Sequence, residues 1–406
     1  MPHRAHTAFA LPACLLTLVS LSACTGLDST GESTDPRPVH SPAATLDADD
    51  RAADGPGADG GPDVVDPGWD VAAQEAEGVF LSMHEADSDL EFRAVDSAGT
   101  ILWSAKRPRV CSGFLVSDSE NGPVAVLMDQ QSAGSDALDT TASGFDLATG
   151  EKLWGPVEVP GPLLGSGLVF AGPPEDFIGA GGPRTALDPA SGAELAVEDD
   201  DSPRILALLD SHLVLADGEE LIGEDLDGRR LWTRPAADLG LTAAEARETP
   251  WEAVGDSHAL IGSRGQQRTL IDLRSGVTVA KDIDSAGFDS HSRTLVTSGS
   301  ELHGFDLDGT KRWDAPLDGD AELSAVGAGL IVTESGAGGN TDDEDVQARS
   351  AEDGQILDAD EASPESGGFG APHHISDSGA RLVGDPASPL LIPAEDQPAE
   401  GPSAKK

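Results

Sequence analysis

Residues 144–154 read GFDLATGEKLW, and worn copies of that phrase return at 303–313 (HGFDLDGTKRW) and 93–103 (RAVDSAGTILW). An alternating run ends on Asp, a tight turn reaches Gly, and a second short run ends on Trp. The Asp carboxylate can accept backbone N–H bonds from two residues on, and Gly tolerates the positive φ that such a turn demands. Each copy therefore predicts a β-hairpin. The turn glycines are Gly99, Gly150, Gly192, Gly228, Gly276, Gly309 and Gly354; the turn acids are Asp96, Asp146, Asp188, Asp225, Asp272 and Asp306, with Ser350 in the last copy. The intervals from Gly99 to Gly354 average about 42 residues, the length of a four-stranded propeller blade.

Four residues after the turn Gly stand Trp103, Trp154, Trp232 and Trp313, so four of the six tryptophans share one repeat position. Ala196, Ala280 and Asp358 fill it in the other copies. An indole on an outer strand buries about 150–250 Å² against a neighbouring sheet, so these residues are expected as filler between blades. Upstream of six hairpins lies a short apolar run: 124–127, 167–170, 212–215, 259–261, 294–296 and 329–332. Such runs suit inner strands covered on both faces. The best helical candidate is LTAAEAR (241–247), in a long connection ahead of Trp251.

The phrase A-x-D-x-x-T-G-x-x-x-W resembles the blade repeat of PQQ-binding-like β-propeller proteins. Asp146, Thr149, Gly150 and Trp154 match it; Ala186, Asp188, Ser191 and Gly192, and likewise Asp272, Ser275 and Gly276, match with Ser for Thr. The copies at Asp96, Asp225 and Asp306 have turns one residue shorter. The resemblance spans about residues 70–393 and implies an all-β propeller of four-stranded antiparallel blades in a bacterial protein. Seven phrases are followed by three more strand candidates, at 374–376, 380–383 and 390–392. A ring must close or expose an edge that invites aggregation. We therefore expect eight blades, the last completed by an N-terminal segment near Trp69-Asp70-Val71; seven blades with loose ends are the alternative.

The remaining composition narrows the function. With 38% hydrophobic residues the 406-residue chain can fill a core, and its formal charge of −48 opposes binding to nucleic acid and to anionic lipid. The start, MPHRAHTAFALPACLLTLVSLSAC, has a basic beginning, an apolar run too short to span a membrane, and small residues before Cys24. It resembles a bacterial lipoprotein signal, which implies cleavage after residue 23, acylation of Cys24, and anchoring to the outer leaf of the cell membrane or beyond. Cys111 is then left without a partner and is expected as a buried strand residue. Residues 24–67 are rich in Pro, Gly, Asp and Ser without an aromatic, and are expected as a disordered tether. Residues 68–393 are expected to form the propeller and 394–406 a disordered tail.

Little in the sequence points to catalysis. The resemblance includes quinoprotein dehydrogenases, which bind a quinone with calcium beside an adjacent-Cys disulfide; this chain has no adjacent Cys pair, and no position matches the family's metal ligands. No enzyme activity and no cofactor are expected. The His373-His374 pair is read as a surface loop, and the acidic run at 341–345 as a solvated hairpin tip with at most weak cation affinity. The same resemblance includes a scaffold lipoprotein of outer-membrane assembly. The expected function is thus a lipid-anchored, extracytoplasmic module for a protein partner; a propeller that senses a small ligand or cation, or last a quinoprotein dehydrogenase, is the alternative.

Overall fold

Each repeat folds as the hairpin its turn chemistry requires, and the apolar run upstream becomes the strand beside it. The computed structural model describes residues 33–46, 63–86, 88–109, 113–132, 138–173, 182–319, 321–335, 345–357 and 369–394. In the second sheet the order from inside to outside is Phe114–Ser117, Val124–Ser132, Leu138–Asp146 and Lys152–Glu158, each strand antiparallel to the next. The fourth sheet (from Arg204–Leu209 to Arg230–Pro235), the fifth (Trp251–Val254 to Thr278–Ile283) and the sixth (Ser285–Asp289 to Lys311–Pro316) repeat this order. The innermost strands touch in sequence: Trp251–Val254 packs on Ser285–Asp289, that strand on Glu322–Gly327, and the last on His374–Ile375. The chain is an eight-bladed β-propeller.

The apolar runs form the second strand of each blade, one step out from the axis. Their side chains alternate between two cores. Val124 and Val126 join a cluster with Trp154, Leu168 and Phe170, whereas Ala125 and Leu127 join one with Phe92, Trp103 and Phe145. In blade 4, Leu213 and Leu215 face the first of these clusters while Val214 and Ala216 face another, with Trp232 and Trp251. Every second strand is thus covered by a blade on each side, which is why the sequence shows continuous apolar runs rather than alternation.

The tryptophans lock the junctions. Each indole N–H donates to a backbone carbonyl in the turn of the following blade: Trp103 to Leu147 at 2.7 Å, Trp154 to Pro189 at 2.8 Å, Trp232 to Leu273 at 2.6 Å and Trp313 to Ala351 at 3.3 Å. The acceptor is always the residue after the turn Asp or its Ser350 substitute. Two glycines make room. A Cβ on the cross-strand partner Gly144, Gly223 or Gly304 would lie 2.1–2.2 Å from its indole, and one on the receiving Gly192, Gly276 or Gly354 would lie 2.5–2.7 Å away. Trp103 lies across from Ala94 instead, and packs on Gly150 of blade 2.

Turn length follows the indole. All four receiving turns, at Asp146, Asp188, Asp272 and Ser350, have the longer form in which the Gly N–H returns to the first residue's carbonyl at 2.7–2.9 Å. The short turns ending at Gly228 and Gly309 follow blades whose slot holds Ala196 or Ala280. Beside Ala280 the cross-strand position holds Leu270 rather than Gly, so volume lost on one strand is partly restored on the other. Asp358, the seventh slot, lies outside the described residues.

Closure of the ring differs in detail from the sequence expectation. Blade 8 takes His374–Ile375, Arg381–Val383 and Leu390–Ile392 from the C-terminal end, then Val65–Asp66 and Ala44–Thr45 from the N-terminal end. The closing strand is therefore Val65–Asp66, not Trp69-Asp70-Val71. The chain turns at Pro67-Gly68, where Gly68 has φ 70° and donates to Asp66 Oδ1 at 2.7 Å. Trp69 then drops into the core with Val65, Phe80, Leu382 and Leu391.

The tether expectation is also corrected for part of its length. Thr34–Pro42 pairs with Thr100–Pro108 as a fifth strand on blade 1. Its prolines are tolerated because an edge strand needs only one side of its backbone for pairing. It needs no core of its own. Buried Arg107 fixes its start by donating to the Thr34 carbonyl at 2.6 Å. The helix expected at 241–247 is present as Ala243–Glu248, begun by a Thr242–Glu245 capping box. Among the described residues no helix is long and apolar enough to cross a membrane.

Replacing Trp232 by Ala should cost about 3–5 kcal/mol, the usual loss for a buried aromatic, measured by denaturant unfolding. Ala280→Trp should destabilise, since Leu270 stands across from it where blades 2, 4 and 6 place Gly, and the turn at Asp306 lacks the longer receiving form; a raised melting temperature would contradict this. Deleting residues 370–406 removes three strands of blade 8 and should abolish the single cooperative melt seen by circular dichroism.

Candidate functional site

Inner hairpins decide the chemistry at one mouth of the propeller. In blades 1 and 4 the turn between first and second strands is two residues long, Glu77-Gly78 and Asp210-Ser211, with φ of 50° at Glu77, 79° at Gly78 and 49° at Asp210. Tight turns with positive φ match the twist of paired strands. They also hold their side chains close to the axis. Blade 5 adds Asp256 after Gly255, and the corresponding loop of blade 2 adds Asp118.

These acids sense one another across the mouth. Desolvation first, then the charges of Asp210, Asp256, Glu77 and Glu75, push the Asp118 carboxyl above its ordinary range. Desolvation also raises Asp210, with Asp256 adding to it, although the Ser211 N–H and Arg274 pull the other way. Behind them His212 and His258 are held below the ordinary imidazole range, chiefly by desolvation. At neutral pH they add little positive charge. In blades 6 to 8 the rim carboxylates are engaged by hydrogen bonds: Asp289 is buried and accepts from the Ser292 and Gly329 N–H groups at 2.7 Å each, and Ser290 donates to Asp377. The carboxylates of blades 1, 4 and 5 are the ones whose charges act on Asp118 of blade 2.

The opposite end of the sheets carries another buried acid, and its chemistry is spent on structure. Glu198 accepts from Arg247 Nη1 at 2.7 Å, from the Ile205 N–H at 2.6 Å and from the Arg184 N–H at 3.1 Å. Arg247 lies on the short helix, so this carboxylate ties the insertion to blades 3 and 4. Burial, with Arg247 alongside, lowers Arg184 to about 10.

The residues singled out from the repeat lie at the blade junctions rather than in the mouth. Asp96 Oδ1 accepts from the Ala98 and Thr100 N–H groups, Asp146 Oδ1 from Thr149, Asp188 Oδ1 from Ala190, Asp225 Oδ1 from Arg229 and Asp272 Oδ1 from Arg274, all at 2.7–3.0 Å. Asp306 instead lies 3.4 Å from Arg312 Nε. Gly99, Gly150, Gly192, Gly228, Gly276, Gly309 and Gly354 all have φ between 67° and 81°. Cys24, Cys111 and residues 341–344 lie outside the described residues. Of the His373-His374 pair, His373 lies in a half-buried bend, where burial beside His374 lowers it to about 4, while His374 is not in a loop but opens the inner strand of blade 8, 3.2 Å from Glu75 and edge-on to Phe80.

Sequence reading missed the acids of the mouth, although a signal exists. Glu77, Asp210 and Asp256 each stand two residues before a second strand. The hairpin phrase drew attention to the outer turns instead.

Neither a family model nor a curated protein matches the sequence. Solved structures similar to this one include BamB from Moraxella catarrhalis, 16% identical with a TM-score of 0.43 over 82% of this chain and 96% of that one. Saccharomyces cerevisiae Sqt1 is 11% identical with a TM-score of 0.39, over 81% of this chain and 96% of its own. A eukaryotic initiation factor is 12% identical with a TM-score of 0.32, over 72% and 89%.

The raised carboxyls give a pH signature. An acid whose pKa is higher in the folded than in the unfolded chain makes stability fall as pH rises from about 3.9 through the raised value. Asp118→Asn should therefore raise the melting temperature at pH 7 in low salt and leave it unchanged at pH 3. An equal or lower value at pH 7 would contradict the repulsion described.

Proposed function

We propose that the chain is a non-catalytic, lipid-anchored propeller of the PQQ-like repeat type, which holds a protein partner outside the cytoplasmic membrane. The observation that carries this reading is the acidic mouth. Four blades bring Glu77, Asp210 and Asp256 close enough to Asp118 for their charges to act on it, a concentration of negative charge suited to a basic partner. A Lys- or Arg-rich segment of a partner would relieve that repulsion, and its association would be fast and salt-dependent. The rigid ring suits this role because its turns are fixed by indoles and hydrogen bonds, so little ordering is required on binding. The lipobox reading of Leu21–Cys24 supplies the anchor.

Two measurements test the reading. Cys24→Ala should move the protein from the membrane fraction to the soluble one, with loss of the acyl label. Cross-linking on intact cells should yield a reproducible neighbour with a basic segment, lost when Asp118, Asp210 and Asp256 are all changed to Asn. Retention of the same neighbour by that folded triple variant would contradict the assignment of the mouth.

A further inference from the structure

Of the junctions that lack an indole, one is lined by His303, a member of a metal-ligand set. Where blade 5 meets blade 6, Ala280 occupies the tryptophan slot, and a cleft of about 370 Å³ remains between Val279–Ile283 on one side and Ser300, His303, Phe305 and Lys311 on the other. On the blade 6 wall, Glu301 and His303 are two residues apart on one strand and so share a face. Asp314 lies directly across from His303 in the register. One ligand atom from each of Glu301, His303 and Asp314 falls within 4.8 Å of the others, and His303 Nδ1 lies 2.6 Å from Asp314 Oδ1.

The set is particular to this blade. Counting from the Gly opposite each Trp, the same three positions are Thr141, Ser143 and Gly155 in blade 2, and Glu220, Ile222 and Thr233 in blade 4. Neither triplet could hold an ion by three side chains. Among the described residues, this is the grouping of three such side chains close enough to share one ion.

We propose that Glu301, His303 and Asp314 bind one divalent ion of the zinc class on this wall, independently of the acidic mouth. One imidazole and two carboxylates suit a borderline first-row ion, whereas calcium and magnesium favour all-oxygen sets. Three protein ligands leave a fourth position open, where water or a carboxylate of another molecule would complete a tetrahedron. Lys311 is the resident competitor: its ammonium donates to Asp314 Oδ1 at 2.5 Å. Its side chain is 48% exposed, so it can swing into water when an ion arrives.

The test is calorimetric titration of the chelator-treated full chain with zinc chloride, in buffer holding millimolar magnesium to occupy the diffuse acidic surface. We expect one zinc equivalent whose affinity falls at least about 10-fold in His303→Ala and in Asp314→Asn, the lower end of what even outer-sphere partners of a metal cause. Lys311→Met should tighten binding, since it removes the competing cation while leaving all three ligands. Cobalt in place of zinc should give a visible absorption band that both ligand variants lose. Equal zinc affinity in wild type and His303→Ala, or no zinc binding above magnesium, would overturn the proposal.

Discussion

The structure depends on one repeated contact: an indole leaving the outer strand of a blade and ending on a carbonyl in the turn of the next. A sheet of four strands has two apolar faces and cannot bury both alone, so each blade is stable only between neighbours. The indole contributes apolar area, and its N–H fixes register, because a displaced blade would leave that donor buried without an acceptor. The paired glycines explain why the motif requires residues from three strands at once. Removing the indole also removes the need for the longer turn, and the two features vary together around the ring.

The same dependence shows why so much of the fold could be read from sequence. Gly150 and Trp154 are four residues apart, and each is needed for a different neighbour: Gly150 receives Trp103, while Trp154 enters blade 3. A local phrase thus carries non-local information. The eighth blade could be inferred because unpaired C-terminal strands had to find an edge. Which N-terminal residues would close it could not, since Val65–Asp66 is only two residues long and its strand character comes from Leu391 opposite it. Thr34–Pro42 was hidden for a related reason. Its pairing is through backbone at an edge, so its Pro-rich composition gives no periodicity to detect.

The acidic mouth was obscured by abundance. In a chain with 73 acidic residues, no single carboxylate stands out, and only the inner hairpins bring the charges of Glu77, Asp210 and Asp256 to bear on Asp118. The triplet on blade 6 was hidden differently. Glu301 and His303 are close in sequence, but Asp314 joins them only through the hairpin register. Glu198, fully engaged by backbone and guanidinium donors, shows the contrasting case of an acid whose hydrogen-bonding capacity is used within the fold. Chemistry remains available where carboxylates face each other without that compensation.

Exchange of the indole protons, followed by ¹⁵N-tryptophan NMR in D₂O, tests the central claim most directly. If the indoles are the locks, the Nε1–H groups of Trp103, Trp154 and Trp232 exchange only with global unfolding, and share one free energy of opening. The more exposed Trp313, with its longer 3.3 Å bond, exchanges faster. Rapid exchange of the three buried indoles, each at its own rate and far above that of core amides, would show that the blades are held together by something else.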